Sequence, residues 1–247
     1  MKRNHVIPVV LAAALAACTE ANTPGRNAAV QVSFATQAVT PPLAASLAGA
    51  VSDTIVTGTD TLILSSVEVV LREIELKRVE TPDCVPDNDL CEKFEAGPVL
   101  VSLPLTPGAE QRFGLDSVPA ASYREIELDV HKPDDGDPQD QAFIAANPDF
   151  AAISIRVRGT FNGQAFEFTS DLDVEQKLPL TPVLVVAQST SINITVFVDV
   201  GTWFLVNAVV VDPASANKGG PNEGVVKENI KNSFRAFEDD DRSGSGD

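Results

Sequence analysis

Basic side chains are scarce in this sequence: 18 lysines and arginines stand against 35 aspartates and glutamates, a formal net charge of −17 over 247 residues. A chain so acidic meets nucleic-acid phosphates with like charge, which excludes nucleic acid as a partner, and it offers no basic patch to anionic lipid headgroups. Histidine is scarcer still, with only His5 and His131. A serine triad would have to use His131 as its base, and no Gly-x-Ser-x-Gly elbow accompanies it. Nor does a glycine loop followed by Lys-Ser/Thr appear to cradle a phosphate. A carboxylate-based hydrolase is the remaining catalytic alternative, but so many acids let any pair be nominated, so no pair is informative. The expectation is therefore a protein that is not an enzyme. Long apolar runs are missing too: a bilayer takes about 20 consecutive apolar residues, and no segment reaches that length.

What is present begins at the amino terminus. Lys2 and Arg3 precede an apolar stretch from Val6 to Ala17, and small residues lead to Cys18. These are the parts of a secretory signal. Leu15-Ala16-Ala17-Cys18 resembles the lipobox of bacterial lipoproteins. The resemblance implies removal of residues 1–17 as a signal peptide and acyl chains on the sulfur and new amino group of Cys18. The partner so implied is a membrane, held through those chains in the bacterial cell envelope. Thr19 stands where an aspartate would be associated with inner-membrane retention, so the resemblance favours the outer membrane. Residues 18–28, small and polar with Pro24-Gly25, read as the lipidated cysteine and a flexible tether reaching roughly 17 Å.

With Cys18 given to lipid, Cys84 and Cys91 remain, an even pair in an exported chain. They bracket the turn-rich Val85-Pro86-Asp87-Asn88-Asp89-Leu90, which predicts a disulfide pinning one loop in an oxidising compartment. The wide spacing and the absence of a nearby histidine argue against a redox pair or a zinc site.

Alternation dominates the rest. Val30, Val32 and Phe34 alternate with Gln31, Ser33 and Ala35, a first strand, and Thr36 to Asp53 reads as a loop. Between Ser65 and Val79 two readings compete. Val67, Val70, Leu71 and Ile74 fit helical spacing, with Ser65 and Glu68 as a capping box. As a strand, Val67, Val69 and Leu71 share one face and Ile74 and Leu76 take the opposite parity. That phase change needs one extra residue near Arg72-Glu73, and this bulged strand is the favoured reading. Asn162-Gly163 between alternating runs from Ile153 to Leu172 predicts a hairpin. A two-residue turn pairs Phe161 with Gln164, Arg158 with Glu167, Gly159 with Phe166, Val157 with Phe168, and Ile153 with Leu172. Ile126, Leu128 and Val130 alternate with Glu125, Glu127 and Asp129, and Ile192 to Val200 does likewise, the pattern of antiparallel sheets with one wet face. With Val99–Leu103 and Val183–Ala187 this makes about eight strands between proline- and glycine-rich turns. Val226, Ile230, Phe234 and Phe237 form one apolar stripe, predicting a C-terminal helix with Asn222 as N-cap. The expected fold is mainly β, an antiparallel β-sandwich over residues 29–221, followed by the C-terminal helix and acidic tail over 222–247.

Val118-Pro119-Ala120-Ala121-Ser122-Tyr123, leading into Arg124-Glu125-Ile126-Glu127-Leu128, resembles a turn-to-strand motif of uncharacterised bacterial lipoproteins. Val67-Glu68-Val69 resembles an earlier strand of that family. The resemblance spans Ser65 to Leu172, with Ala121 in place of the family's glycine. It implies an immunoglobulin- or transthyretin-like sandwich and brings no activity with it.

Two acidic segments are candidates for a hard cation. His131 ends a strand just before a loop carrying Asp134, Asp135, Asp137 and Asp140. The sharper one begins at Asp239. Counted as position one, it gives Asp239, Asp241 and Ser243 as side-chain oxygens, glycine at six, Ser245 as a carbonyl and Asp247 at nine. This resembles the start of an EF-hand Ca²⁺ loop behind a helix. The alternative is a solvated acidic tail. The leading expectation is a lipid-anchored envelope protein with a non-catalytic binding or structural role, its partner an unidentified protein or glycan. A Ca²⁺-dependent binding module is the second; beyond that ion no cofactor is expected.

Overall fold

The structure, a computed structural model, describes residues 28–36, 53–80, 93–106, 109–187 and 191–239. It is mainly β, and two sheets face one another across a shared core, as alternation predicts. The smaller sheet has the order β14 (Phe234–Glu238), β11 (Ser191–Val198), β1 (Ala28–Thr36), β6 (Gln111–Val118). Val30, Val32 and Phe34 of β1 and Ile192, Ile194, Val196 and Val198 of β11 point into the core. One ladder departs from the antiparallel expectation: β1 runs parallel to β11, Val32 facing Ile194.

The larger sheet is built on β3 (Asp60–Arg78), a 19-residue strand that touches five others, β2 (Asp53–Thr57) among them, while β12 (Leu205–Val206) and β13 (Val209–Val210) pair with each other apart from both sheets. The bulge lies where the phase change requires it. Leu71 faces Val130 and Glu73 faces Asp129 of β7 (Ala121–Val130), leaving Arg72 as the extra residue. Val67, Val69 and Leu71 before it, and Ile74 and Leu76 after it, therefore all reach the core.

Register also shows how the edges of β3 are shared. Residues 74–77 pair with both β7 and β4 (Lys93–Ala96), so those two lie on opposite edges. Glu68 and Val69 likewise pair with both β8 (Ile155–Phe161) and β5 (Val99–Ser102). Ile74 faces Ala96 and Leu71 faces Val99, so β4 and β5 continue one register along a single edge. It follows that β7 and β8 lie end to end on the other edge, and residues 131–154 leave the sheet between them.

The predicted hairpin stands with its register intact from Phe161–Gln164 through Gly159–Phe166, Arg158–Glu167 and Val157–Phe168 between β8 and β9 (Gln164–Ser170). Asn162 and Gly163 both take positive φ, and the Asn162 amide accepts from the Thr61 N–H and donates to Asp60. Gly159 is required by a close approach, since a Cβ there would collide with the Ile63 carbonyl. The ladder stops at Ile155–Ser170, however, so Ile153 does not pair with Leu172. The buried Ser154 intervenes, its N–H bonding the Ser170 carbonyl (2.8 Å) and its hydroxyl the Leu172 carbonyl (2.7 Å). Leu172 joins the main core, while Ile153 packs into a small separate cluster.

The C-terminal helix is shorter than its apolar stripe suggests. α2, Glu223–Lys231, follows α1 (Pro138–Ala146) as the second α-helix and buries Val226 and Ile230. Asn222 occupies the cap position without capping, its amide donating instead to the Ser215 hydroxyl. Phe234 and Phe237 belong to β14, where β11 offers an edge whose backbone groups need partners. A strand sends these two rings to opposite faces. Phe234 is buried, and Phe237 stacks on Phe197 with ring centroids 5.5 Å apart.

At the corner where the chain crosses from β6 to β7, buried Tyr123 donates its hydroxyl to the Pro119 carbonyl (2.9 Å). The Val118–Tyr123 segment is thus a clamped corner between the sheets. The far edge strand β9 is blunted by Asn217, whose side chain meets the Thr169 N–H (2.9 Å) and the Glu167 carbonyl (3.4 Å). An edge so occupied is a poor template for another strand.

Candidate functional site

After the bulge at Arg72, β3 turns Glu73, Glu75 and Lys77 away from the core, and the neighbouring strands do the same with their own acids. Glu75 is flanked by Glu95 of β4 and Glu127 of β7, and Glu127 in turn by Lys177 of β10 (Val174–Val186). One row along, Glu73, Asp129 and Glu175 stand side by side, and Lys77 faces Glu125 in the row beyond. Glu73, Glu75, Glu127, Asp129 and Glu175 line an open groove of about 260 Å³. One carboxylate oxygen from each of Glu73, Glu75 and Glu95 lies within 4.8 Å of the other two.

Like charges directly opposite one another destabilise a sheet. Two ammonium groups relieve part of that repulsion. The Lys77 Nζ sits between Glu75 and Glu127, 3.1 Å from the latter, and the Lys177 Nζ lies 3.3 Å from both Glu127 and Glu175. Burial opposes ionisation of Glu127, but Lys77, a hydrogen bond with Glu175 and Lys177 together outweigh it and lower its carboxyl to about 2. Lys77 is also desolvated, yet Glu75 and Glu127 raise it above the ordinary lysine value. Burial raises Asp129, with Asp173 and Glu175 adding to the effect against His131 and Arg72. Glu125 is raised by burial and then by Glu127. The face thus stays strongly acidic while holding carboxyls of unlike strength, on strands rather than on loops.

The residues singled out from sequence fall elsewhere. Cys18, Cys84, Cys91, Asp241, Ser243, Ser245 and Asp247 lie outside the described residues. Asp239 is described and fully buried: its carboxylate accepts from the Thr195 hydroxyl (3.1 Å), and its carbonyl from the Asn193 amide (3.1 Å). The segment leading into it is β14, not the helix of an EF-hand, because that chain is drawn into the sheet edge. His131 is partly buried, with Nδ1 3.2 Å from Asp173.

The acidic loop after His131 does not present its carboxylates together to a cation. Asp140 is buried and accepts from Arg72 Nε (3.0 Å) and the Asp134 N–H (2.7 Å). Asp137 accepts from Arg72 (3.2 Å) and caps α1 through the Gln139 N–H, and Asp134 accepts from the Gly136 N–H. These acids are satisfied by one guanidinium and by backbone donors. The wet-face acids Glu125, Glu127 and Asp129 are visible in the sequence, but which strands lie beside them is not.

Compared with family models, curated proteins and solved structures, the chain matches none of them.

Proposed function

We propose that this is a lipid-anchored cell-envelope protein, tethered through Cys18 to the outer membrane. It acts by binding rather than catalysis, and the acidic face of the large sheet meets cationic groups on its partner. The observation that carries the reading is the gathering of seven carboxylates, Glu73, Glu75, Glu95, Glu125, Glu127, Asp129 and Glu175, around the ammoniums of Lys77 and Lys177 on one sheet face. Clefts lined by one sign of charge concentrate ligands of the opposite sign. Spermine and an oligolysine peptide are suitable probes. Binding by calorimetry that weakens at least ~10-fold in E73Q/E95Q and falls with salt supports the reading; no binding of either probe, or binding indifferent to the two substitutions, sinks it. Palmitate labelling of the expressed chain, abolished by Cys18→Ser, tests the anchor.

Ca²⁺-dependent binding is the second reading, favoured by the close approach of Glu73, Glu75 and Glu95. A hard cation takes carboxylate oxygens. A melting temperature raised by millimolar Ca²⁺ and insensitive to Ca²⁺ in E95Q supports it; a Ca²⁺ shift that survives E95Q places the ion elsewhere.

A further inference from the structure

The twenty-four residues 131–154 leave β3 opposite Leu71 and return opposite Val69, so a single residue facing Val70 would have joined β7 to β8. The excursion makes its own structure. Asp137 caps α1, the Asn147 N–H and amide both donate to the Phe143 carbonyl, a 3-10 turn follows at Pro148–Phe150, and Gln141 donates to the Asp135 carbonyl. Its hydrophobic residues do not enter the sandwich core. Phe143 and Phe150 are buried with Val70, against Leu100 and Ile153, in a cluster of their own on the outer face of the sheet.

Two arginines of the sheet hold it down. Arg72, the bulge residue, reaches Asp137 and Asp140, and Arg156 spans Glu68 and Asp149 with its guanidinium 4.4 Å from the centre of the Phe150 ring. The return post is fixed separately, since Ser154 bonds Val70, Ser170 and Leu172 through backbone and hydroxyl.

We infer that residues 132–153 are a cover that opens from the sheet as one body while the strands beneath stay paired, baring Val70 and Leu100 beside the acidic face. A small private core and a few side-chain clamps give such a unit a lower opening free energy than strands that share the main core. No strand pairing has to break, because the chain exits and returns on one edge. Opening also returns Asp140 and Arg72 to water together, so neither is left charged and unpartnered in a dry site.

Native-state hydrogen exchange on the full chain tests this. Off the sheet a nine-residue helix does not hold its own hydrogen bonds, so amides of 139–152 are expected to exchange at least ~100-fold faster than those of β3 and β7, with a guanidinium dependence well below that of the strands. Phe143→Ala should speed the cover by a further ~10-fold and leave the strands unchanged. Insert amides that track the strand amides at every guanidinium concentration overturn the inference. A thiol at Val70→Cys, under the cover, should react at least ~10-fold faster with a labelling reagent than one at Val69→Cys, on the core side of the same strand. Equal rates at the two positions overturn it as well.

Discussion

On its outer surface, the large sheet is two different things on the two sides of Arg72. Towards the start of β3, Val70 faces outwards with Leu100, and the chain covers them with Phe143, Phe150 and Ile153. Beyond the bulge the same strand carries Glu73, Glu75 and Lys77 outwards, and the face lies open as an acidic groove. Strand and sheet are shared, so the difference comes from which side chains the backbone turns outwards on either side of the bulge. Covering the outward apolar pair Val70 and Leu100 is favourable by roughly 25 cal/mol per Å² buried. A carboxylate is best left wet, or paired as Glu127 is with two lysines. The bulge sets the boundary, because one extra residue inverts the parity of everything after it.

The largest expected effect comes from the shared core beneath both halves. Leu76→Ala should cost about 2–5 kcal/mol of global stability by guanidinium unfolding. Phe150→Ala removes a larger side chain but belongs to the covered half only, so its global cost should stay below about 2 kcal/mol. Equal losses from the two substitutions would break the distinction between a main core and a private one. Next in size is Asp140→Ala, which strips Arg72 Nε and the Asp134 N–H of their acceptor and leaves Arg72 only Asp137. It should cost about 1–3 kcal/mol, with faster exchange confined to residues 132–153.

The acidic half is sharpened by pH. Glu127 has a lower pKa folded than unfolded, so its ion pairs add stability above its ordinary value of 4.5 and lose it as pH falls towards about 2. Asp129 and Glu125 run the other way, since raised carboxyls cost stability when ionised and stop doing so as pH falls through their values. Stability should therefore hold or rise on mild acidification from neutrality and fall only below about 4.5. Glu127→Gln should cost about 1 kcal/mol at pH 7 and flatten the acid limb of a Tm-versus-pH curve. A variant with the same acid limb as the parent chain would show that Glu127 does not set it. Smallest is Arg158→Ala, which breaks a pair with Glu167 on the exposed hairpin and should change stability by less than about 0.5 kcal/mol.

Much of this was legible where the pattern is local. Asn162-Gly163 specifies a turn whose two residues both need positive φ, and the register of the flanking strands follows for as long as the ladder lasts. The parity change between Leu71 and Ile74 located the bulge, because a strand has only two faces. Phe234 and Phe237 satisfy a helix by their spacings of four and three, yet the edge of β11, about forty residues away in sequence, draws them into a strand. The acids of the loop after His131 looked like cation ligands because Arg72, which neutralises Asp137 and Asp140, lies more than sixty residues upstream. The acidic face was half visible: each strand announced a wet side, but not which wet sides would adjoin.

The sequence by itself determined that the chain is strand-rich, which residues of the alternating strands face a core, where β3 changes phase after Leu71 and how one hairpin pairs, though not the earlier shift between Leu64 and Ser66. All of these rest on backbone geometry acting over a few residues. Only the tertiary structure decided that β1 runs parallel to β11, that β7 and β8 share one edge of β3, and that seven carboxylates share one face. Those are choices among distant segments, each able to pair in several ways, and the free energy that selects among them comes from burying all the apolar faces together in one core.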